Sequence, residues 1–167
     1  HKLPTQPIHF ELHERIEELD EHDKQSLGAM ANSDYTTLTQ LSAELKIPLA
    51  TLERRKQKLE QRGVIHGYFH WIEAGALGML PYVLLIYMKG ISPDFKRKLL
   101  EFSRREPQVV YFIECMGNWD FEIGIEVDGM KEVTAITQKL YDHFPEDMRT
   151  LKVIPILNYY KFKSYSL

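Results

Sequence analysis

Apolar residues in the first half of the chain recur at helical spacing. Leu38, Leu41 and Leu45 fall at i, i+3 and i+7, which predicts a helix from Thr37 to Leu45. Before it, Asp20 is placed to cap a helix reaching about Ala31. Glu21 and Asp23 sit in its first turn, where the helix dipole favours acids. Asn32-Ser33-Asp34 supplies turn chemistry. Lys46-Ile47-Pro48 then breaks the chain ahead of a third helix, Leu49 to Arg62, whose Leu52 and Leu59 lie seven apart. Gly63 closes that helix as a left-handed residue, and Val64 to Phe69 reads as a small hairpin or wing. Residues 1–19 form a lead-in: Pro4 and Pro7 oppose a helix, whereas Glu11 to Leu19 is an acidic helical stretch.

The second half alternates strand and helix. Tyr82 to Met88 is an apolar strand, and Pro93 opens a helix with Phe95, Leu99 and Phe102 at helical spacing. Val109 to Met116 is a second strand, followed by a turn at Gly117-Asn118-Trp119. Phe121, Ile123, Ile125 and Val127 alternate with Asp120, Glu122, Gly124 and Glu126, the pattern of a strand with one wet face. Val133, Ile136, Leu140 and Phe144 mark a helix ended by Pro145, and Leu151 to Tyr159 is the last strand. The order β-α-β-β-α-β predicts an α+β, ferredoxin-like sheet with both helices on one side. Tyr82 to Met88 is apolar on both faces, so a second cover is needed. A symmetric dimer packing sheet on sheet supplies one, with Val83, Leu84, Leu85 and Ile86 as the expected interface.

These elements divide the 167 residues into a lead-in (1–19), a winged helix-turn-helix (20–72) and a βαββαβ domain (79–162), each large enough for a modest core. The single cysteine, Cys115, excludes an internal disulfide and reads as a buried apolar residue. No run reaches the roughly 20 apolar residues of a membrane helix, so a soluble, cytoplasmic protein is expected. The chain starts at His1 rather than methionine, which fits a processed, trimmed or partial protein. His9 and His13, like His66 and His70, are four apart, but no acidic or cysteine partner completes a zinc site; no metal or cofactor is expected. A net charge of −3 argues weakly against nucleic acid, although only one face of a small DNA reader meets phosphate.

Leu49 to Arg62 runs against that total. Arg54, Arg55, Lys56, Lys58 and Arg62 face only Glu53 and Glu60, a net of +3. A solvated helix with internal pairs such as Lys56–Glu60 gives the same composition. Its place after a tight turn from a short helix favours DNA.

Four stretches carry a family resemblance: Leu19-Asp20-Glu21-His22-Asp23-Lys24, Leu41-Ser42-Ala43-Glu44-Leu45, the run from Leu52 to Tyr68, and Gly117-Asn118-Trp119-Asp120. In order and spacing, over roughly residues 19–160, they resemble the leucine-responsive (Lrp/AsnC) family of prokaryotic transcription regulators. Asn158-Tyr159-Tyr160 with Trp119-Asp120 is similar to the C-terminal copy in longer, tandem members. The resemblance implies a non-enzymatic regulator that binds double-stranded DNA as a homodimer or higher even-numbered oligomer. Thr51, Arg54 and Arg55 would face bases or phosphates, Lys58 and Arg62 phosphates, and Thr37 and Gln40 a phosphate at the start of the second helix. The Gly117-Asn118-Trp119-Asp120 turn would engage an amino-acid effector through Gly117, Asn118 and Asp120; a plain strand connection packed by Trp119 fits the same residues. Three departures stand out: Pro48 replaces a capping serine, Lys56 a branched apolar residue, and Asn118 an aspartate. Two other readings stay open. One is a sensing and dimerising module without DNA binding of its own. The other is a haem-pathway decarboxylase-like protein, which the run Tyr68-Phe69-His70-Trp71-Ile72 fits poorly because it lacks a basic, histidine-rich stretch.

Overall fold

The computed structural model describes residues 17–32, 37–68, 72–90 and 92–160, with Asn32 by its backbone alone. The chain divides into two compact units, the second being residues 71–159 and the first the rest.

In the first unit, α1 (Glu21–Asn32), α2 (Leu38–Leu45) and α3 (Leu49–Gln61) follow the sequence punctuation. Asp20 Oδ1 accepts the Asp23 amide at 2.7 Å, capping α1, and the Thr37 hydroxyl accepts the Gln40 amide at 3.3 Å, capping α2. Between α2 and α3, Lys46 adopts a left-handed φ of 53°, a conformation that strains a non-glycine residue by roughly 1 kcal/mol. The turn holds because the Ile47 amide reaches the Ser42 carbonyl at 3.2 Å while the Ser42 hydroxyl donates to the Ile47 carbonyl at 2.6 Å. Pro48 gives α3 no side-chain cap, as its chemistry requires. Leu41, Ile47 and Leu52 form the small core, with Ala29, Met30, Leu38 and Leu45 packed against it.

Two local expectations fail in this unit. Glu17, Glu18 and Leu19 are irregular rather than helical; residues 1–16 lie outside the described set. Val64–Tyr68 forms no strand, so the expected hairpin is absent among the described residues. Tyr68 instead folds back on α3, donating to Glu60 at 3.1 Å, with Lys56 Nζ 5.1 Å from its ring centre.

The second unit runs β1 (Leu80–Met88), α4 (Pro93–Arg105), β2 (Val109–Glu114), β3 (Phe121–Val127), α5 (Met130–His143) and β4 (Met148–Pro155), with a short 3-10 helix at Ala74–Leu77 before it. The sheet order is β2-β3-β1-β4, and every neighbouring pair is antiparallel. Leu84 and Ile86 of β1 join Phe121, Ile123, Ile125 and Val127 of β3 beneath Phe95, Leu99 and Phe102 of α4 and Val133, Ile136 and Leu140 of α5. Leu84 and Ile86 are therefore closed into the chain's own core and leave the expected dimer interface; Val83 and Leu85 point to the other face. The last strand starts earlier than its apolar pattern suggests, because Met148 pairs with Met88, and it ends at Pro155, which has no amide to donate. Among the described residues, no helix is long and apolar enough to cross a membrane.

The open face is packed closely at one point. Tyr111 lies over Gly124, where a Cβ would sit 2.1 Å from its ring, and its hydroxyl donates to Glu122 at 2.8 Å. Gly124→Ala should therefore lower unfolding stability by about 1–3 kcal/mol. Urea denaturation checks this, and an unchanged midpoint would show that Tyr111 swings aside freely.

Candidate nucleic-acid interface

The faces of α3 are set by what they touch. Leu52 and Leu59 are fully buried, while Ala50, Glu53, Arg54, Gln57, Lys58 and Gln61 are exposed on the opposite side. Helical spacing puts Ala50, Arg54 and Lys58 in one stripe, with Gln57 and Gln61 beside it. Arg54 and Lys58 have no ion pair among the described residues.

Two other cations of the cluster are already engaged. Arg55 turns toward α1, its Nη1 lying 2.8 Å from Asp20 Oδ2 and 2.6 Å from Asp23 Oδ1. The Asp23 side chain is only 6% exposed and that of Arg55 21%, so this pair belongs to the interior of the unit. Hydrogen bonding to Arg55 holds the Asp20 carboxyl below its ordinary range, and the same bonds raise the guanidinium further. Arg62 donates to Glu17 Oε2 from Nε at 2.9 Å and from Nη2 at 2.7 Å, with a third bond from Nη2 to the Glu18 carbonyl at 2.7 Å. Lys56 pairs with Glu60 at 2.6 Å, the internal pairing that the sequence allowed. Arg55 and Arg62, expected at the interface, thus serve the fold. Asp20, expected to cap α1, and Asp23, expected to suit the helix dipole, also anchor the helix that follows the turn.

The remaining expected contacts are mixed. Thr51 is half-buried at the start of α3. Thr37 is exposed, yet its hydroxyl is spent on α2, accepting the Gln40 amide and donating to Gln40 Oε1 at 3.1 Å. Groups of histidine, cysteine and acids able to hold a metal are absent among the described residues; His9, His13 and His70 lie outside them.

The turn between β2 and β3 places Gly117 and Asn118 at the surface and tucks Trp119 and Asp120 partly in. Asp120 is tied to the sheet on three atoms. Its Oδ2 accepts the Met88 amide at 2.7 Å, its amide reaches the Ile86 carbonyl at 3.0 Å, and its carbonyl accepts the Cys115 amide at 2.8 Å. The Trp119 Nε1 is buried without a hydrogen-bond partner among the described residues. Burial raises the neighbouring Cys115 thiol above its ordinary range.

No protein-family profile matches the chain. An HTH-type transcriptional regulator of Haemophilus influenzae is 24% identical over 151 residues, covering 89% of each protein. A transcriptional regulator of Neisseria meningitidis, solved as an L-Met complex, superposes with a TM-score of 0.76 at 17% identity, over 88% of this chain and 95% of that one. An AsnC family regulator of Agrobacterium tumefaciens gives a TM-score of 0.75 at 17% identity, over 89% of this chain and 97% of that one. Over most of its length the chain is thus similar to HTH-type transcriptional regulators in sequence and to an AsnC family regulator in fold. A stretch of 107 residues also matches a GTP 3',8-cyclase of Aliarcobacter butzleri at 30% identity, but it spans only 33% of that enzyme.

Within the first unit, the stretch from Leu19 to Lys24 has a physical task. Asp20 caps α1, and together with Asp23 it fixes how α3 lies against α1. Arg55→Ala strands the buried Asp23 carboxylate and should lower unfolding stability by on the order of 2 kcal/mol. Arg54→Ala should change it by less than about 0.5 kcal/mol. The sign with pH follows from Asp20: a depressed folded pKa stabilises above the ordinary 3.8 and is lost as pH falls through the folded value. Thermal unfolding between pH 3 and pH 6 should therefore show a weaker acid loss in Arg55→Ala; parallel curves would remove the pair from this role.

Proposed function

We propose that this chain is a DNA-binding transcription regulator that reads double-stranded DNA with the outer stripe of α3. The observation that carries the reading is the exposed stripe itself: Arg54 and Lys58 stand unpaired among the described residues, on a helix set by a tight turn after α2. In a helix-turn-helix the second helix of the pair enters the major groove. Arginine there grips guanine with two bonds, while lysine holds phosphate as a point charge. Arg55 and Arg62 hold the helix in place rather than touch DNA. In this reading the chain works in the cytoplasm, as a homodimer joined through the open sheet face around Val83 and Leu85, or as a higher even-numbered oligomer. It acts without catalysis, in keeping with its regulator relatives. An amino-acid effector fits the L-Met complex of the Neisseria relative. The exposed Gly117 and Asn118 would meet it, with Asp120 holding the turn rather than binding.

A second reading, a sensing and dimerising module without its own DNA binding, draws support from the same ion pairs. Engagement of Arg55 and Arg62 leaves α3 with two unpaired cations against the exposed Glu53. Fluorescence anisotropy with genomic and random duplexes across a salt series separates the two. Four free cations per dimer predict a log–log salt slope of about −4, and Arg54→Ala should reduce its magnitude by about 2 while weakening binding at least tenfold. Arg62→Ala should leave the slope unchanged. No binding at low salt would give the module reading its case. For the dimer, Val83→Asp should convert the sedimenting species to monomer, and an undisturbed dimer would place the partner face elsewhere.

A further inference from the structure

The open face of the sheet carries its charges on two separate strands. Register sets Ile113 beside Glu122, Glu122 beside Leu85, and Leu85 beside Lys152, so one row of side chains crosses all four strands. Leu84 and Ile86, the chain neighbours of Leu85, point into the core, so the row points away from it. With strands about 4.8 Å apart, Glu122 and Lys152 stand roughly 10 Å from each other across Leu85, beyond direct pairing. Among the described residues Glu122 accepts a hydrogen bond from the Tyr111 hydroxyl, and Glu126 lies on the same face opposite Pro81. On the other side, Lys152 Nζ lies 5.1 Å and Arg149 Cζ 5.8 Å from the Tyr87 ring centre. Neither cation has an ion pair among the described residues. The face is therefore acidic along β3 and basic along β4, with Val83, Leu85 and Tyr87 as an apolar strip between.

A second copy laid face to face can follow two kinds of two-fold axis. An axis running across the strands sets β3 on β3 and β4 on β4, acid on acid and base on base. An axis running along β1 sets β3 of each copy over β4 of the other. A two-fold contact occurs twice, so the first choice repeats its repulsion and the second its attraction. Resting on the dimer reading above, we infer that the two copies pair about an axis along β1, with Glu122 of each chain meeting the partner subunit's Lys152. The charges on either side of the apolar strip thus select the register of the dimer. The hydrophobic strip supplies area, and the acid–base rows decide which way round the faces meet.

Charge exchange tests this in the full chain. Glu122→Lys and Lys152→Glu should each raise the dimer dissociation constant at least tenfold in analytical ultracentrifugation, since each places like charges together twice. The double variant should recover the parent value, and an equimolar mixture of the two single variants should form heterodimer. Urea midpoints near the parent's establish that the subunits remain folded, and Lys152→Glu disturbs no side-chain hydrogen bond among the described residues should Glu122→Lys prove unstable through its loss of the Tyr111 contact. A parent chain that sediments as monomer overturns the dimer reading and this pairing with it. A dimeric parent whose single variants stay dimeric, or whose double variant and mixture fail to recover, overturns the pairing alone.

Discussion

The second unit is organised by β1, which is engaged at both edges and on one face. Its two edges are taken by β3 and β4, and on one face Leu84 and Ile86 are closed under both helices. Each such aliphatic side chain contributes about 1.5–3 kcal/mol on burial. Consecutive strand residues point in opposite directions, so fixing Leu84 and Ile86 in the core turns Val83, Leu85 and Tyr87 to the other face without any further choice. With α4 and α5 both spent on the core side, that face is covered by no helix of the second unit. Tyr111 is laid on Gly124 there. A strand that must satisfy a core on one side and present an apolar strip on the other explains why its sequence shows no polar alternation.

The first unit meets a different constraint. Only Leu52 and Leu59 of α3 are fully withdrawn from water, too little apolar surface to define the helix's rotation. Polar contacts supply the missing definition. Asp23 and Asp20 converge on one nitrogen of Arg55, and Glu17 reaches Arg62 a little under two turns farther along the same helix. Desolvation offsets much of the Coulombic gain in such a pair, so its main effect is orientation. That orientation aims Arg54, one residue away from Arg55, outward.

Much of this was legible in the sequence, and the failures have identifiable causes. Asp20, Thr37 and the start of α4 at Pro93 announced helix ends because capping is a local matter, as is the alternation that revealed β3. Tyr82 to Met88 declared two apolar faces, but periodicity carries no sign, so Leu84 and Ile86 were assigned to the partner although helices cover them. The hairpin expected over Val64–Phe69 does not form in Val64–Tyr68, where the Val64 and Ile65 amides reach the Leu59 carbonyl and the Tyr68 hydroxyl reaches Glu60 of α3. Arg55 could not be separated from Arg54 on residue type. Its acids lie more than thirty positions earlier, and only the fold brings them within reach. Gly124 carried a usable signal: a glycine inside a strand pattern marks a close approach, here by an aromatic ring.

Charge in this molecule is decided by pairing rather than by totals. Counted along the chain, α3 and its cap hold a surplus of three positive charges. Once Arg55, Arg62 and Lys56 are matched to Asp20 and Asp23, Glu17 and Glu60, the outward stripe retains Arg54 and Lys58 beside Glu53. At physiological salt, exposed charges farther apart than about 8 Å are largely screened. The acidic total of −3 therefore says little about that stripe, and position sets what the two cations can reach. The same reasoning governs the open sheet face, where Glu122 and Lys152 are held apart by Leu85. Charges that the fold brings together become structure, and charges that it keeps apart remain available to something outside the chain.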